Sequence, residues 1–363
     1  MWRFLRPDAA RALQDPKVRS SLARYVRVVG DELPARFQIC KKVKVKADLG
    51  ESEQRLWKAH EEGMKEFSRL MAEIDRGRVR LRELDSPEVS LLDLKAELAN
   101  RILRSCHLCE RRCGANRVKG EKGFCRVGKT PRVASEFMHM GEEAPLVPSY
   151  TIFFAGCTFR CQFCQNWDIS QDPEAGVEMG GKELARLVEH AKEEGARNVN
   201  WVGGNPDPNL PGILEALREC GANISSVWNS NMYYSSEAAE LLAGTQDIYL
   251  TDFKWFDNRC AWKYSKVEGY LEVVSGNHLL AHRDAELIIR HLVMPSHLEC
   301  CTRPILKWIA ENLGKNVRVN VMDQYRPCYL AGRFPEINRP LTAEEYQQAV
   351  RFAEEAGLQN LEW

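Results

Sequence analysis

Hydrophobic and polar positions follow two different patterns along the chain. Over the first hundred residues charged side chains enter every turn. Apolar residues recur three or four apart there, as Trp57, Met64, Phe67, Met71 and Ile74 do in ESEQRLWKAHEEGMKEFSRLMAEID. That spacing places them on one face of a helix that packs on a larger body. A second helix is expected from Pro87 to Leu103, with Ser86 as its N-cap. From about residue 148 the pattern changes to short apolar runs: TIFFA, NVNWVGG, ISSVWNS, DIYLTDFKW, ELIIRHLVMP and VRVNVMDQY. Amphipathic stretches such as KELARLVEHAKEEGA and LTAEEYQQAVRFAEEAG separate them. This alternation predicts about six strand-helix units around a parallel sheet. The expected fold class is α/β, a partial (βα)6 barrel. A helical N-terminal extension would occupy 1–104, a cysteine-rich metal-binding segment 105–147 and the barrel 148–363. Functional side chains in such folds collect where strands end and loops begin.

Composition narrows the function classes. Lys+Arg and Asp+Glu each number 51 in 363 residues, so net charge is zero and nucleic acid is not indicated as a partner. No run reaches the roughly 18 apolar residues of a spanning helix, and MWRFLRPDAARALQD has charges where a secretory signal has its apolar core. A cytoplasmic protein without membrane attachment is expected. The chain has 13 cysteines, and in a reducing compartment clustered thiols serve as metal ligands more often than as disulfides.

Three of them stand in GCTFRCQFCQNW, where Cys157, Cys161 and Cys164 follow the apolar run TIFFA directly. A closed structural site uses four protein ligands, whereas three leave one position for a substrate or water. The CxxxCxxC spacing lets one loop wrap three soft thiolates around an iron-sulfur cluster. A zinc loop with a distant fourth ligand is the alternative. Downstream, WVGGNP puts Gly203, Gly204, Asn205 and Pro206 at a strand end, where glycines admit close backbone approach to a ligand or simply make a tight turn. Asn229, Asn231, Asp252, Lys254, Arg290 and His291 also sit at or near strand ends. Helix caps, ion pairs and hydrogen-bonded core histidines account for such residues equally well.

Together these motifs resemble the radical S-adenosylmethionine (SAM) superfamily, whose signature CxxxCxφC is matched by Cys157, Cys161, Phe163 and Cys164. The resemblance implies a [4Fe-4S] cluster with one open iron that binds SAM, whose reductive cleavage gives a 5′-deoxyadenosyl radical. WVGGNP then corresponds to the superfamily's GGEP-type segment, with Asn205 where glutamate is common. The set WVGGNPDPNLP, VWNSNMYYS, YLTDFKW, RHLVMP and MDQYRP is most similar to the pyruvate formate-lyase activating enzyme-related branch. By that resemblance Gly203, Gly204, Asn205, Pro206, Asn229, Asn231, Asp252, Lys254, Arg290 and His291 contact cofactor or substrate. It also implies a protein or peptide substrate and an electron donor such as flavodoxin or ferredoxin. Radical modification of RNA or a small metabolite is the second reading, and a non-catalytic iron-sulfur or zinc scaffold the third.

A second cluster, CHLCERRCGANRVKGEKGFC, supplies Cys106, Cys109, Cys113 and Cys125. Four close thiols in a Gly- and charge-rich segment imply a metal, either zinc or an auxiliary [4Fe-4S] cluster. Such a closed site would staple the extension to the barrel. Arg111, Arg112, Arg117, Lys119 and Lys122 would form a local basic face around it. Cys40, Cys220, Cys260, Cys300, Cys301 and Cys328 lack metal spacing and are expected to be buried, inert thiols. Cys328 is the one among them placed to face substrate, and the nearby Tyr325 is expected in the core.

Overall fold

The computed structural model describes residues 2–362. Nine strands form one sheet: β1 (Arg132–His139), β2 (Ser149–Phe154), β3 (Val177–Glu178), β4 (Asn198–Gly203), β5 (Ser225–Ser230), β6 (Ile248–Asp252), β7 (Glu286–Leu292), β8 (Arg318–Met322) and β9 (Asn360–Glu362). Their order is β3-β1-β2-β4-β5-β6-β7-β8-β9. All neighbours from β2 to β9 pair in parallel, and β1 pairs antiparallel with β2 and β3. The six apolar runs became β2 and β4 to β8, a partial barrel as expected. Two pieces escaped the apolar-run pattern. β9 is only three residues long, and β1 alternates its burial and leaves Phe137 exposed, as an antiparallel strand with one solvated face does.

Helices Gly181–Glu193, Leu210–Glu219, Ser236–Leu242, Arg303–Asn312 and Ala343–Glu355 alternate with the parallel strands. The helix Glu53–Asp75 lies where periodicity put it, with Phe67 and Ile74 buried and Trp57, Met64 and Met71 packed at the margin. The next helix is shorter than expected, Leu91–Ile102, and its cap is Ser90 rather than Ser86. The Ser90 side chain accepts from the Asp93 backbone N–H (3.2 Å), and Asp93 accepts from that of Ser90 (2.9 Å). This reciprocal capping box is available to Ser90 and not to Ser86, whose +3 residue is Val89.

The extension shares one apolar core with the sheet's outer helices. Its first helices also close the end of the barrel where the parallel strands begin. Val18, Leu22 and Tyr25 pack on Leu146, Val227, Ile248, Leu250 and Ile288. Glu286 at the start of β7 accepts from the backbone N–H groups of Arg24 (2.7 Å) and Tyr25 (2.8 Å) at a helix N-terminus, where a carboxylate satisfies orphan donors. Closing this end leaves the opposite end, where the parallel strands finish, for chemistry.

Candidate functional site

The turn after β2 starts at Gly156, with φ +81°. A Cβ there would stand 2.7 Å from the Cys125 carbonyl oxygen, so glycine alone fits. Cys157, Cys161 and Cys164 then line a single cavity of about 230 Å³, together with Asn229, Asn231, Asp252, Lys254 and Arg290 from the strand ends. A larger surface groove of about 790 Å³, beside Trp57 and Glu240, contains none of the cysteines.

The thiol loop is held from below by the segment 264–265. Arg160 N–H donates to the Ser265 carbonyl (3.0 Å), and Gln162 N–H to that of Tyr264 (2.7 Å). Cys161 Sγ contacts Ser265 Oγ at 3.2 Å and Cys164 Sγ contacts Ser170 Oγ at 3.3 Å. Burial pushes all three thiols up, Cys161 to about 12, with a neighbouring sulfur adding to the effect at Cys157 and Cys161. Thiols so firmly protonated are poor nucleophiles at neutral pH; a metal centre is what would draw out their thiolates.

On the opposite wall charges of both signs meet. Asp252 lies 2.6 Å from Lys254 Nζ and 3.2 Å from Arg290 Nε, and Arg290 also donates to Asn229 Oδ1. Burial opposes ionisation of Asp252, but Lys254 and Arg290 outweigh it and hold the carboxyl below its usual range. β6 and β7 bring Asp252 and Arg290 side by side in register.

Several predicted residues occupy other places. A Cβ on Gly203 (φ +110°) would stand 2.0 Å from Phe154 N, and one on Gly204 2.0 Å from the Gly156 carbonyl oxygen. These glycines therefore serve loop packing as well as lining the cavity. Asn205 is a strut: its Nδ2 donates to Thr158 Oγ1 (3.1 Å) and its Oδ1 accepts from Asn231 N–H (3.3 Å). Asn231 also donates to Thr158 Oγ1 (3.0 Å). Pro206 lies outside the lining, its carbonyl accepting from Asn209 N–H (2.7 Å).

His291, expected at the site, lies outside the cavity. It is 1% exposed and bonded to the Phe253 carbonyl (2.7 Å) and Thr302 Oγ1 (2.9 Å), and burial lowers its pKa to about 4. Adjacent strand residues point to opposite faces, so Arg290 and His291 could not share one cavity. Gln165, Asn166, Leu292, Met322 and Gln324, which lie within the quoted motifs without having been singled out there, also line the cavity. Glu142 and Glu143, from the link between β1 and β2, reach Asn200 and Asn320 at 3.0 Å each. Burial, with Glu143 adding to it, pushes Glu142 up to about 7. Their signal was the adjacent acidic pair in HMGEEAP, before the apolar runs.

The four-thiol loop lies behind the three-thiol loop. Leu108 and Glu110 pair by backbone with Ser235 and Tyr233, just past β5. Arg111 Nε donates to the Thr158 carbonyl (3.1 Å), and Arg111 and Arg160 both lie over the Phe124 ring, at 3.8 and 4.4 Å from its centroid. Cys106, Cys109 and Cys125 are buried and Cys113 is exposed. The expected basic face does not form. Arg117 is buried against the Gly128 carbonyl, Arg112 pairs with Glu110 and Glu237, and Lys122 with Glu174. Of the five residues named for that face, Lys119 is the one that stays exposed without an ion pair among the described residues.

Cys328 does not line the cavity, whereas Tyr325 is a core aromatic whose hydroxyl donates to the Ile337 carbonyl (2.5 Å). Cys260 and Cys300 are not the buried, isolated thiols that their spacing suggested. Cys260 is half-buried, Cys300 is exposed, and they converge with His297.

Residues 151–309 match the family described as Radical SAM superfamily. The chain belongs to the radical SAM superfamily. Over 343 residues it is 46% identical to the protein MJ0674 of Methanocaldococcus jannaschii, covering 93% of this chain and 98% of that one. Streptococcus suis SuiB bound to S-adenosylmethionine overlaps 56% of this chain and 47% of its own, at 16% identity and a TM-score of 0.41. The present chain thus spans under half of SuiB. Escherichia coli QueE overlaps 64% of this chain and 92% of its own, at 14% identity and a TM-score of 0.37.

Membership implies a [4Fe-4S] cluster and SAM, and the donor set fits both. A tetrahedral zinc thiolate site brings its sulfurs to about 3.8 Å of one another. Among the described residues, one set of three ligand atoms lies within 4.8 Å, and it is not this one. Cys157, Cys161 and Cys164 are not all within that distance of one another, and all three line one cavity, an arrangement open to a cluster held by three thiolates. Beside them, paired charges of both signs suit the ammonium and carboxylate of an amino acid moiety. In the described residues no helix is long and apolar enough to cross a membrane.

Proposed function

We propose that the protein is a radical SAM enzyme of the activating-enzyme-related branch that abstracts hydrogen from a protein or peptide. The observation that carries this reading is the convergence of Cys157, Cys161 and Cys164 with Asp252, Lys254 and Arg290 on one cavity. When bound, the cluster and SAM supply one-electron cleavage of a sulfonium, yielding methionine and a 5′-deoxyadenosyl radical that removes a hydrogen atom from substrate.

The chain's own residues bind, orient and exclude water. The three cysteines would hold three irons. Asp252 would face the SAM ammonium, Lys254 and Arg290 its carboxylate, and Asn229 and Asn231 would offer amides to the remaining polar groups. Phe159 and Phe163, both buried, with Leu292 and Met322 form the apolar lining that keeps water from a reactive radical. A macromolecular substrate is supported by the stacked pair Trp167 and Tyr329, with centroids 5.6 Å apart and 48% and 40% exposed. Trp167 follows the lining residues Gln165 and Asn166. Exposed aromatics are favoured anchors for protein partners.

The test is anaerobic reconstitution followed by dithionite and SAM, with 5′-deoxyadenosine as the readout. Formation is expected, and its absence in protein with full iron and sulfide content would overturn the reading. Added polypeptide should raise the rate and RNA should not. Stimulation by RNA that fades with moderate salt would favour an RNA substrate instead.

A further inference from the structure

Thirty-seven residues apart in sequence (260 to 297), two segments bring a third soft donor set together beside Trp255. Cys260, on the helix Asn258–Ser265, and His297 and Cys300, after β7, place one ligand atom each within 4.8 Å of the others. Cys301 Sγ touches Cys300 Sγ at 3.4 Å but lies outside the converging set. One turn of π-helix, Leu298–Thr302, presents Cys300 and Cys301 together. Such turns are uncommon and frequent at functional sites.

His297 is prepared as a ligand. It is 5% exposed. Its Nδ1 lies 2.7 Å from the Pro295 carbonyl, which assigns the ring proton to Nδ1 and leaves the Nε2 lone pair free. Nε2 has no hydrogen-bond partner among the described residues. A metal-bound imidazole characteristically donates its other N–H to a carbonyl or carboxylate in this way. Trp255 and Tyr264 meet the ring edge-on at 5.5 and 5.0 Å and fix its plane.

We infer that Cys260, His297 and Cys300 form a third metal site that takes a single soft divalent cation such as zinc. Two thiolates and an imidazole are a ligand set that zinc accepts, with water in the fourth position, and the close spacing suits one ion rather than a cluster. Each thiol that ligates gives up its proton as its sulfur-metal bond forms, so no oxidant or reductant is required. The ion would clasp the helix Asn258–Ser265 to the turn after β7. That helix ends at Ser265, whose hydroxyl contacts Cys161 Sγ at 3.2 Å and Trp255 Nε1 at 2.9 Å. The site therefore sets the floor under the three-thiol loop without entering the cavity.

The experiment measures zinc, iron and sulfide per chain in full-length holoprotein after dialysis against a weak chelator. Wild type should hold one more zinc than Cys260→Ser, His297→Gln or Cys300→Ser, with iron and sulfide unchanged and a lower Tm in each variant. Cys300→His, which keeps a ligand at an exposed position, should retain the ion and guards against loss through misfolding. Cobalt in place of zinc should show thiolate charge-transfer absorption that is reduced in Cys300→Ser. Equal zinc in wild type and all three variants would overturn the proposal. So would thiol mapping that finds Cys260 and Cys300 joined as a disulfide in anaerobically purified protein.

Discussion

The loop of Cys157, Cys161 and Cys164 and the loop of Cys106, Cys109, Cys113 and Cys125 touch back to back, with Arg111, Phe124 and Arg160 between them. The first opens onto a cavity whose other wall carries Asp252, Lys254 and Arg290. The second has no residue in that cavity; its arginines turn inward or pair with Glu110 and Glu237, and its backbone is stitched to residues 233–235. Three thiols beside unfilled space suit a reaction, and four thiols docked on a wall suit a fastening. What separates them is which side of the sheet's end each loop faces, more than the number of sulfurs.

The largest effect that can break this comparison comes from the open loop. The triple variant Cys157→Ala, Cys161→Ala, Cys164→Ala should abolish 5′-deoxyadenosine formation, measured by chromatography, while the fold survives. Next in size, Asp252→Asn should lower kcat/KM for SAM by roughly 30-fold or more. Truncating one member of a buried, hydrogen-bonded charge set costs about 2–5 kcal/mol, and each 1.4 kcal/mol is about tenfold. In the closed loop Cys109→Ser should lower folded yield and Tm by several degrees, with little change in the spectrum of the first cluster. An unchanged Tm would remove its fastening role.

The smallest effect is a pH dependence. Burial raises Glu142 from an ordinary carboxyl to about 7, so the native state binds its proton more tightly than the unfolded chain. The sign follows: the stabilisation is complete below the ordinary carboxyl range and is lost as pH rises through about 7. Glu142→Gln should therefore gain stability relative to wild type between pH 5 and pH 8, by ~1–2 kcal/mol, in denaturant unfolding at the two pH values. A difference that stays flat would mean that Glu142 is ionised in the fold.

Much of this architecture was legible along the chain because a buried parallel strand is a continuous apolar run and its crossover helix an amphipathic one. β2 and β4 to β8 declare themselves in that way. β9, with three residues, has too little pattern to read, and β1 alternates too weakly. The three-thiol motif was legible because all its members share one loop. Arg290 and His291 were legible as a strand end and, by alternation, as opposite faces of it, but which of them faces the cavity was not, since the phase of a strand is fixed only when its neighbours are placed. The Cys260, His297 and Cys300 set was illegible for a plainer reason. Its members come from two crossovers, and only the parallel pairing of β6 with β7 brings those crossovers together.

The measurement that bears most directly on the central claim is electron paramagnetic resonance of the reduced, reconstituted protein with and without SAM. An open iron at the Cys157, Cys161 and Cys164 loop predicts that SAM changes the cluster signal in wild type and in Cys109→Ser alike. It also predicts no SAM-dependent change in the triple-alanine variant. A wild-type signal indifferent to SAM, or a response that persists without those three cysteines, would contradict the account.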